Sequence, residues 1–168
     1  MKHARAIGEK TYPPGGAAIV VAILGETKIL LIKETSQLLP HYWKLVSETL
    51  NTDESVLDGL CRGVDEEAEL KLETLRVKGS VVKITDPRIR VVKKLVRSHM
   101  VATRIPHRLH FWGLLTTDQV VMSLSGKHLA NAENEIIDTM AFNISELDGM
   151  RDFHPHHREL ILSIPKAT

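Results

Sequence analysis

Short apolar runs separated by polar turns occupy most of the chain and predict a protein rich in β-strands. The first run, AAIVVAIL at 17–24, is branched and apolar throughout, which is typical of a buried strand. The turn residues GET at 25–27 and the run KILLIKE at 28–34 follow it and predict a hairpin partner. Further strands are predicted on the same grounds at 72–84, 90–105, 108–117 and 136–144.

One segment has the period of a helix. Between Glu54 and about Glu69 the apolar residues recur at steps of three and four, as on one face of an amphipathic helix. These residues are Val56, Leu57, Leu60, Cys61, Val64 and Ala68. The polar residues at 51–53 are good helix caps, and a second helix is predicted near 154–164, where Pro155 suits a first turn. This order of elements predicts an α/β or α+β sandwich.

The composition is that of an ordinary globular protein. The chain has 168 residues, of which 43% are apolar and 26% charged, so we expect one domain over 1–168 with an N-terminal extension at 1–14. The net charge of +1 makes a nucleic-acid partner unlikely, while a homodimer is left open. A single cysteine and the lack of a long apolar stretch predict a soluble, cytoplasmic protein without a membrane partner.

Charged residues are unevenly spread. Between Asp53 and Glu73 there are eight acidic residues, whereas between Arg88 and Arg108 there are seven Lys and Arg residues and no acid. One interpretation is an acidic metal-binding centre that faces a basic, phosphate-binding pair of strands. The other is two solvated faces without a shared function.

The residues around 62–70 resemble the signature of the Nudix hydrolases. That signature reads Gly, five residues, Glu, seven residues, Arg-Glu, apolar, any residue, Glu-Glu, any residue, Gly, apolar. The positions that match are Glu54, Arg62, Val64, Glu66, Glu67 and Leu70. Glu48 and Glu69 stand where the signature has glycine, and Gly63 stands where it has glutamate, so the box is degenerate. Trp43 and Leu45 also match residues that usually precede the box.

The resemblance extends over about 15–165 and implies a Nudix-like α/β/α sandwich with a mixed sheet. It implies a hydrolase of a nucleoside diphosphate linked to another moiety, dependent on Mg²⁺ or Mn²⁺. Glu66 and Glu67 would be the metal ligands, Arg62 would orient them, and a late glutamate such as Glu135 (or Glu133) would act on water.

The spacing of the box explains why Gly63 matters. Positions 63, 66 and 67 lie on one side of a helix, so three glutamates there would converge on a metal cluster. With Gly63, two carboxylates could still hold one ion, but a cluster of several ions is harder to assemble. Glu48 could replace the lost carboxylate in part. Gly59 and Gly63 could instead form a helix face that admits a close neighbour.

For the phosphates and the base of a nucleotide-like ligand, Arg88, Arg90 and Trp112 are the candidates. Strand alternation would place Arg88 and Arg90 on one face with Lys94, and Trp112 would either stack on a base or lie in the core. The histidines of 154–157 predict a polar helix start rather than a metal site.

Two functions are therefore open. One is a hydrolase with an impaired or altered metal site. The other is a non-catalytic module that retains the fold and binds a nucleotide-like ligand or a partner protein.

Overall fold

The computed structural model describes residues 17–34, 42–95, 99–101, 107–126, 128–130 and 136–162. The first half contains β1 Ala17–Leu24, β2 Lys28–Glu34, β3 Trp43–Lys44, β4 Val46–Thr49, α1 Val56–Ala68, β5 Glu73–Val77 and β6 Ser80–Thr85. The second half contains β7 Val91–Lys94, β8 His99–Val101, β9 His107–Leu115, α2 Asp118–Ser123, β10 His128–Ala130, β11 Ile136–Asn143, a 3₁₀ helix Ile144–Gly149 and α3 Pro155–Leu162.

Nine of these strands form one mixed sheet, and β5 and β6 form a separate hairpin. The sheet order is β10-β11-β2-β1-β9-β7, with β3 paired to β2, β4 to β1 and β8 to β9. Strands β1 and β9 run parallel, and the other described pairs are antiparallel. The predicted mixed α/β architecture is confirmed.

The sheet has an apolar core on each face. Strand β1 alternates between them: Ile19, Val21 and Ile23 face the side of α1 and α2, whereas Val20 and Ala22 face the side of α3 and the 3₁₀ helix. Because both faces are covered, β1 is apolar at every position rather than at every second one. The helices therefore lie on both sides of the sheet, as the α/β/α prediction requires.

Helix α1 has the predicted apolar face but a different cap. Its buried apolar residues are Val56, Leu57, Leu60, Val64 and Ala68. The Oγ of Ser55 accepts a hydrogen bond from the N–H of Asp58 at 3.1 Å, so the cap is Ser55 and not a residue of 51–53. The chain leaves the helix at Glu69, which has the left-handed φ of 52°.

Several predicted strand boundaries were wrong. The run at 72–84 is a hairpin, because Lys78 and Gly79 both have positive φ and turn the chain between β5 and β6. The run at 90–105 contains two short strands, β7 and β8. Helix α2 and strand β10 were not predicted, since each is too short to show a clear period. Among the described residues, no helix is long and apolar enough to cross a membrane.

Candidate functional site on helix α1

Arg62 is the centre of the site. Its Nε and Nη2 bind the two carboxylate oxygens of Glu54 at 2.8 and 3.0 Å. Its Nη1 binds Glu48 at 3.0 Å and Glu66 at 3.4 Å, and Nη2 also donates to the carbonyl of Thr49 at 2.9 Å. These five contacts match the five N–H donors of a guanidinium group. The predicted pairing of Arg62 with Glu66 is therefore present, as one part of a larger cluster.

The cluster changes the acidity of its members in opposite directions. Burial disfavours the charge of Glu54, but hydrogen bonds from Arg62 and from the N–H of Asn51 outweigh it and lower the pKa of Glu54. For Glu48, burial outweighs the attraction of Arg62, and neighbouring Glu66 adds repulsion, so its pKa is raised. The pKa of Arg62 is raised, mainly because its side chain donates hydrogen bonds to Glu54. Arg62 therefore stays charged.

The two glycines of α1 face side chains of the preceding segment. A Cβ placed on Gly63 would lie 2.6 Å from Cγ of Glu48 and 3.7 Å from Cγ1 of Val46. A Cβ on Gly59 would lie 2.2 Å from Cδ2 of Leu50. The predicted close-approach face is therefore present, and side chains rather than backbone atoms fill it. At position 63 the space of the missing side chain contains the chain of Glu48.

The two remaining glutamates of the box lie in different surroundings. Glu67 is 7% exposed, and its Oε2 accepts a hydrogen bond from the N–H of Ser47 at 3.1 Å. The side chain of Glu66 is 53% exposed and reaches back to Arg62. One carboxylate is thus fixed against β4, and the other is at the surface within the arginine cluster.

The described donors do not fit the metal cluster that the resemblance implies. In the ranges that the structure covers, no group of three or more His, Cys, Asp or Glu side chains is placed to hold a metal ion. The physical reason is that Gly63 contributes no donor, and the carboxylate of Glu48, whose side chain lies over Gly63, is held by Arg62. The predicted base Glu135 lies outside the described residues, as does Glu133.

The predicted phosphate-binding residues lie far from this cluster. Glu48 is opposite Ile19 of β1, which is opposite His110 of β9. Arg90 donates its N–H to the carbonyl of Leu115, five residues further along β9. Strand geometry then separates the backbones of Arg90 and Glu48 by about 20 Å. Of the two interpretations of the charge pattern, a shared centre does not hold for Arg90, because sheet register sets it and Glu48 at different ends.

Arg88 and Arg90 also do not alternate along a strand. Both precede β7, which begins at Val91. Arg88 forms a bidentate pair with Asp86, and Arg90 donates to the carbonyl of Thr116 and lies 3.4 Å from Glu26. Their side chains are 45% and 57% exposed, although each guanidinium group already contacts these neighbours.

Trp112 is a core residue. It is 7% exposed and belongs to the apolar cluster beneath α1. A nucleotide base could not stack on it without opening that core, so the prediction of a stacking platform was wrong. Cys61 is partly buried as well, and burial raises the pKa of its thiol to about 11, which suits a packing role.

The histidines of 154–157 begin α3, as predicted. His157 is buried, and its Nδ1 accepts a hydrogen bond from the N–H of Leu45 at 3.0 Å. The rings of His154 and His157 lie with centroids 4.5 Å apart. His157 thus joins the helix to the segment between β3 and β4.

Sequence reasoning missed the role of the residues just before α1. The backbone N–H of Ser47 and the carbonyl of Thr49 both bind side chains of the box. The departure from glycine at Glu48 was the only sequence signal for this arrangement, and by itself it does not show which residue Glu48 contacts.

Comparisons with known proteins identify the fold. No family sequence model and no curated protein sequence matches the chain. The Nudix domain of Shewanella oneidensis NrtR, in complex with ADP ribose, is 12% identical with a TM-score of 0.60, covering 90% of this chain and 87% of that one. A Nudix-family hydrolase from Clostridium perfringens is 12% identical with a TM-score of 0.56, covering 89% and 95%.

NrtR from Shewanella oneidensis, in complex with a 27mer DNA, is also similar. It is 13% identical with a TM-score of 0.58, and the alignment covers 88% of this chain but only 59% of that protein. At such identities the likeness shows the fold alone. The chain has the Nudix fold.

Proposed function

We propose that this chain is a binding module with the Nudix fold, which recognises a nucleotide-like ligand of the nucleoside diphosphate type without hydrolysing it. The observation that carries the proposal is the arginine cluster on α1. At position 63, where a hydrolase of this fold would place a carboxylate for metal, the side chain of Glu48 fills the space, and Nη1 of Arg62 holds its carboxylate.

The type of ligand is proposed from the fold and from the accessible arginines. NrtR, which shares the fold, was crystallised with ADP ribose. Arg88 and Arg90 have partly exposed side chains at the end of the sheet remote from the cluster, and a phosphate group would replace their present pairs with Asp86 and Glu26. We therefore propose these two residues as the phosphate contacts.

A weak hydrolase is the second candidate. It is favoured by Glu67, whose carboxylate is fixed by the backbone of Ser47 although Gly63 offers no donor. A fixed acid beside β4 is what a hydrolytic site requires, and solved neighbours include a hydrolase. The donor set described above does not support a multi-ion mechanism, so we derive no catalytic step from it.

Calorimetry and chromatography separate the two candidates. ADP-ribose would be titrated into the protein in EDTA and then in Mg²⁺ or Mn²⁺, and the mixture would be analysed for released AMP after prolonged incubation. The binding module predicts saturable heat in EDTA and intact ligand throughout. Arg88→Ala and Arg90→Ala should each weaken binding about tenfold, as expected for one charge-assisted contact.

The matched control is Arg151→Ala, since Arg151 is also exposed but lies in the turn before α3. Release of AMP that stops in Glu67→Gln would establish the hydrolase instead. The absence of any heat with ADP-ribose, ADP or a nucleoside diphosphate sugar would overturn the proposed ligand class.

A further inference from the structure

The helix position that lacks a carboxylate and the strand position that carries an extra one are in contact. Glu48 passes directly over Gly63, with its Cγ only 2.6 Å from where a Cβ on Gly63 would lie. Side-chain atoms do not approach a Cβ so closely. A residue with a side chain can therefore replace Gly63 only if Glu48 moves. Glu48 is not free to move without cost, because its carboxylate is bound to Arg62 at 3.0 Å.

We infer that Glu48 and Gly63 are a coupled pair. The carboxylate that this fold usually carries at position 63 of the helix is carried instead by residue 48 of β4. The metal position thereby becomes a metal-independent ionic clamp between α1 and β4. The guanidinium group of Arg62 is the cation of this clamp.

The contacts of Arg62 show why a guanidinium group can serve there. It reaches β4 through Glu48 and the carbonyl of Thr49, the residues before the helix through Glu54, and the helix itself through Glu66. A divalent ion that took Glu48 and Glu66 would have to displace Nη1 from both. The planar fork of arginine satisfies several carboxylates at fixed angles, whereas Mg²⁺ requires nearly ideal octahedral oxygen geometry.

The position of Glu48 also explains why a glycine is present at position 63 of the helix. In a helix interior glycine is less favourable than alanine, so a glycine that serves no purpose would be improved by almost any substitution. Here the buried Gly63 gives Glu48 room to lie against the helix and reach Arg62. The clamp rests on the same arginine cluster as the proposed function, but it needs no nucleotide, so it is tested without one.

A double-mutant cycle tests the coupling by thermal unfolding in EDTA without ligand. Gly63→Ala should lower the Tm of the native protein, because the added Cβ collides with Glu48. In the Glu48→Ala background the same change should raise the Tm by about 3 °C, the ordinary gain of alanine over glycine in a helix. Gly149→Ala is the control, since a Cβ there meets no atom within 4 Å. Equal effects of Gly63→Ala in both backgrounds would overturn the coupling.

The second measurement concerns metal dependence. The Tm of the native protein should be the same within about 1 °C in EDTA and in millimolar Mg²⁺ or Mn²⁺. The double variant Glu48→Ala with Gly63→Glu returns the carboxylate to the helix, and its Tm should rise with either ion. Stabilisation of the native protein by the ions, lost in Glu48→Gln, would overturn the inference. A folded double variant whose Tm is unchanged by both ions would also overturn the inference.

Discussion

Two helices hold the same short segment, residues 43–49, from opposite faces of the sheet, and they do so with different chemistry. On one face, α1 holds β4 through the charged cluster of Arg62 and through Glu67. On the other, α3 holds the neighbouring residue Leu45 through the neutral imidazole of His157. Side chains also alternate along this segment, because Val46 lies in the apolar cluster on the α1 side and Leu45 lies in the one on the α3 side.

The difference follows from how much water reaches each face. The cluster on α1 lies at the edge of the helix, where Arg62 is 25% exposed, so its charges remain partly hydrated. His157 is 8% exposed, and burial, together with the charges of nearby groups, lowers its pKa to about 3. The positive charge of Arg62 is stable at the first place, and a positive charge on His157 is disfavoured at the second. The stability of the α1 face should therefore depend on keeping the charge of Arg62, whereas the stability of the α3 face should depend on keeping His157 uncharged.

The largest effect is expected from removing the cation of the clamp. Arg62→Ala leaves the carboxylates of Glu48 and Glu54 partly buried without their partner, which should lower the free energy of unfolding by about 3 kcal/mol in urea titrations. Arg76→Ala is the matched control, because Arg76 pairs with Asp58 on the same helix but is 48% exposed. We expect about 0.5 kcal/mol there. Similar losses for both arginines would show that the cluster contributes no more than a surface pair.

The second largest effect is a loss of stability in acid, which is expected from His157 of α3. The folded pKa of His157, about 3, lies below its ordinary value of 6.5, so the unfolded chain takes up the proton first. The contribution of neutral His157 to the free energy of unfolding is complete above pH 6.5. It declines at lower pH, by about 2 kcal/mol between pH 6.5 and 5. His157→Asn keeps an acceptor for Leu45 but cannot titrate, so its stability should decline less over this range. His156→Asn, at an exposed position of the same helix, is the control. Parallel declines for native protein and His157→Asn would contradict the assignment.

The smallest effect, and one of opposite sign, is expected at Glu48. Its pKa is raised, chiefly by burial, so the protonated form is favoured in the folded protein. The resulting stability is present below pH 4.5 and is lost as the pH rises through the folded pKa. Glu48→Gln should therefore be within about 1 kcal/mol of the native protein at pH 7. Lowering the pH to 5 should shift the difference in favour of the native protein, in urea titrations of both. A shift in favour of Glu48→Gln would refute a raised pKa.

Much of the fold could be predicted from local pattern. The apolar run of β1, its hairpin with β2 and the amphipathic period of α1 each depend on side chains within one short segment. The box residues likewise identified the helix that carries the candidate site. The cap was predicted wrongly at 51–53, since several polar residues there suit that position, whereas in the structure the Oγ of Ser55 accepts the hydrogen bond from the N–H of Asp58.

The candidate site could be predicted only in part, because its decisive contacts join distant segments. That Arg62 pairs with Glu66 follows from helical spacing alone. That Glu48 fills the space beside Gly63 depends on how β4 pairs with β1 and how α1 packs on both. Likewise, the distance of Arg90 from the acids is set by strand order and register.

The sequence by itself therefore determined which segments are strands and which is the central helix, because periodicity is a local property of the chain. It also determined that one carboxylate of the helix is missing. Only the tertiary structure decided where a replacement carboxylate lies, that an arginine holds it, and that Trp112 is enclosed in the core. The physical reason is that side chains from separate segments compete for one volume, and that competition is settled only when the segments pack together.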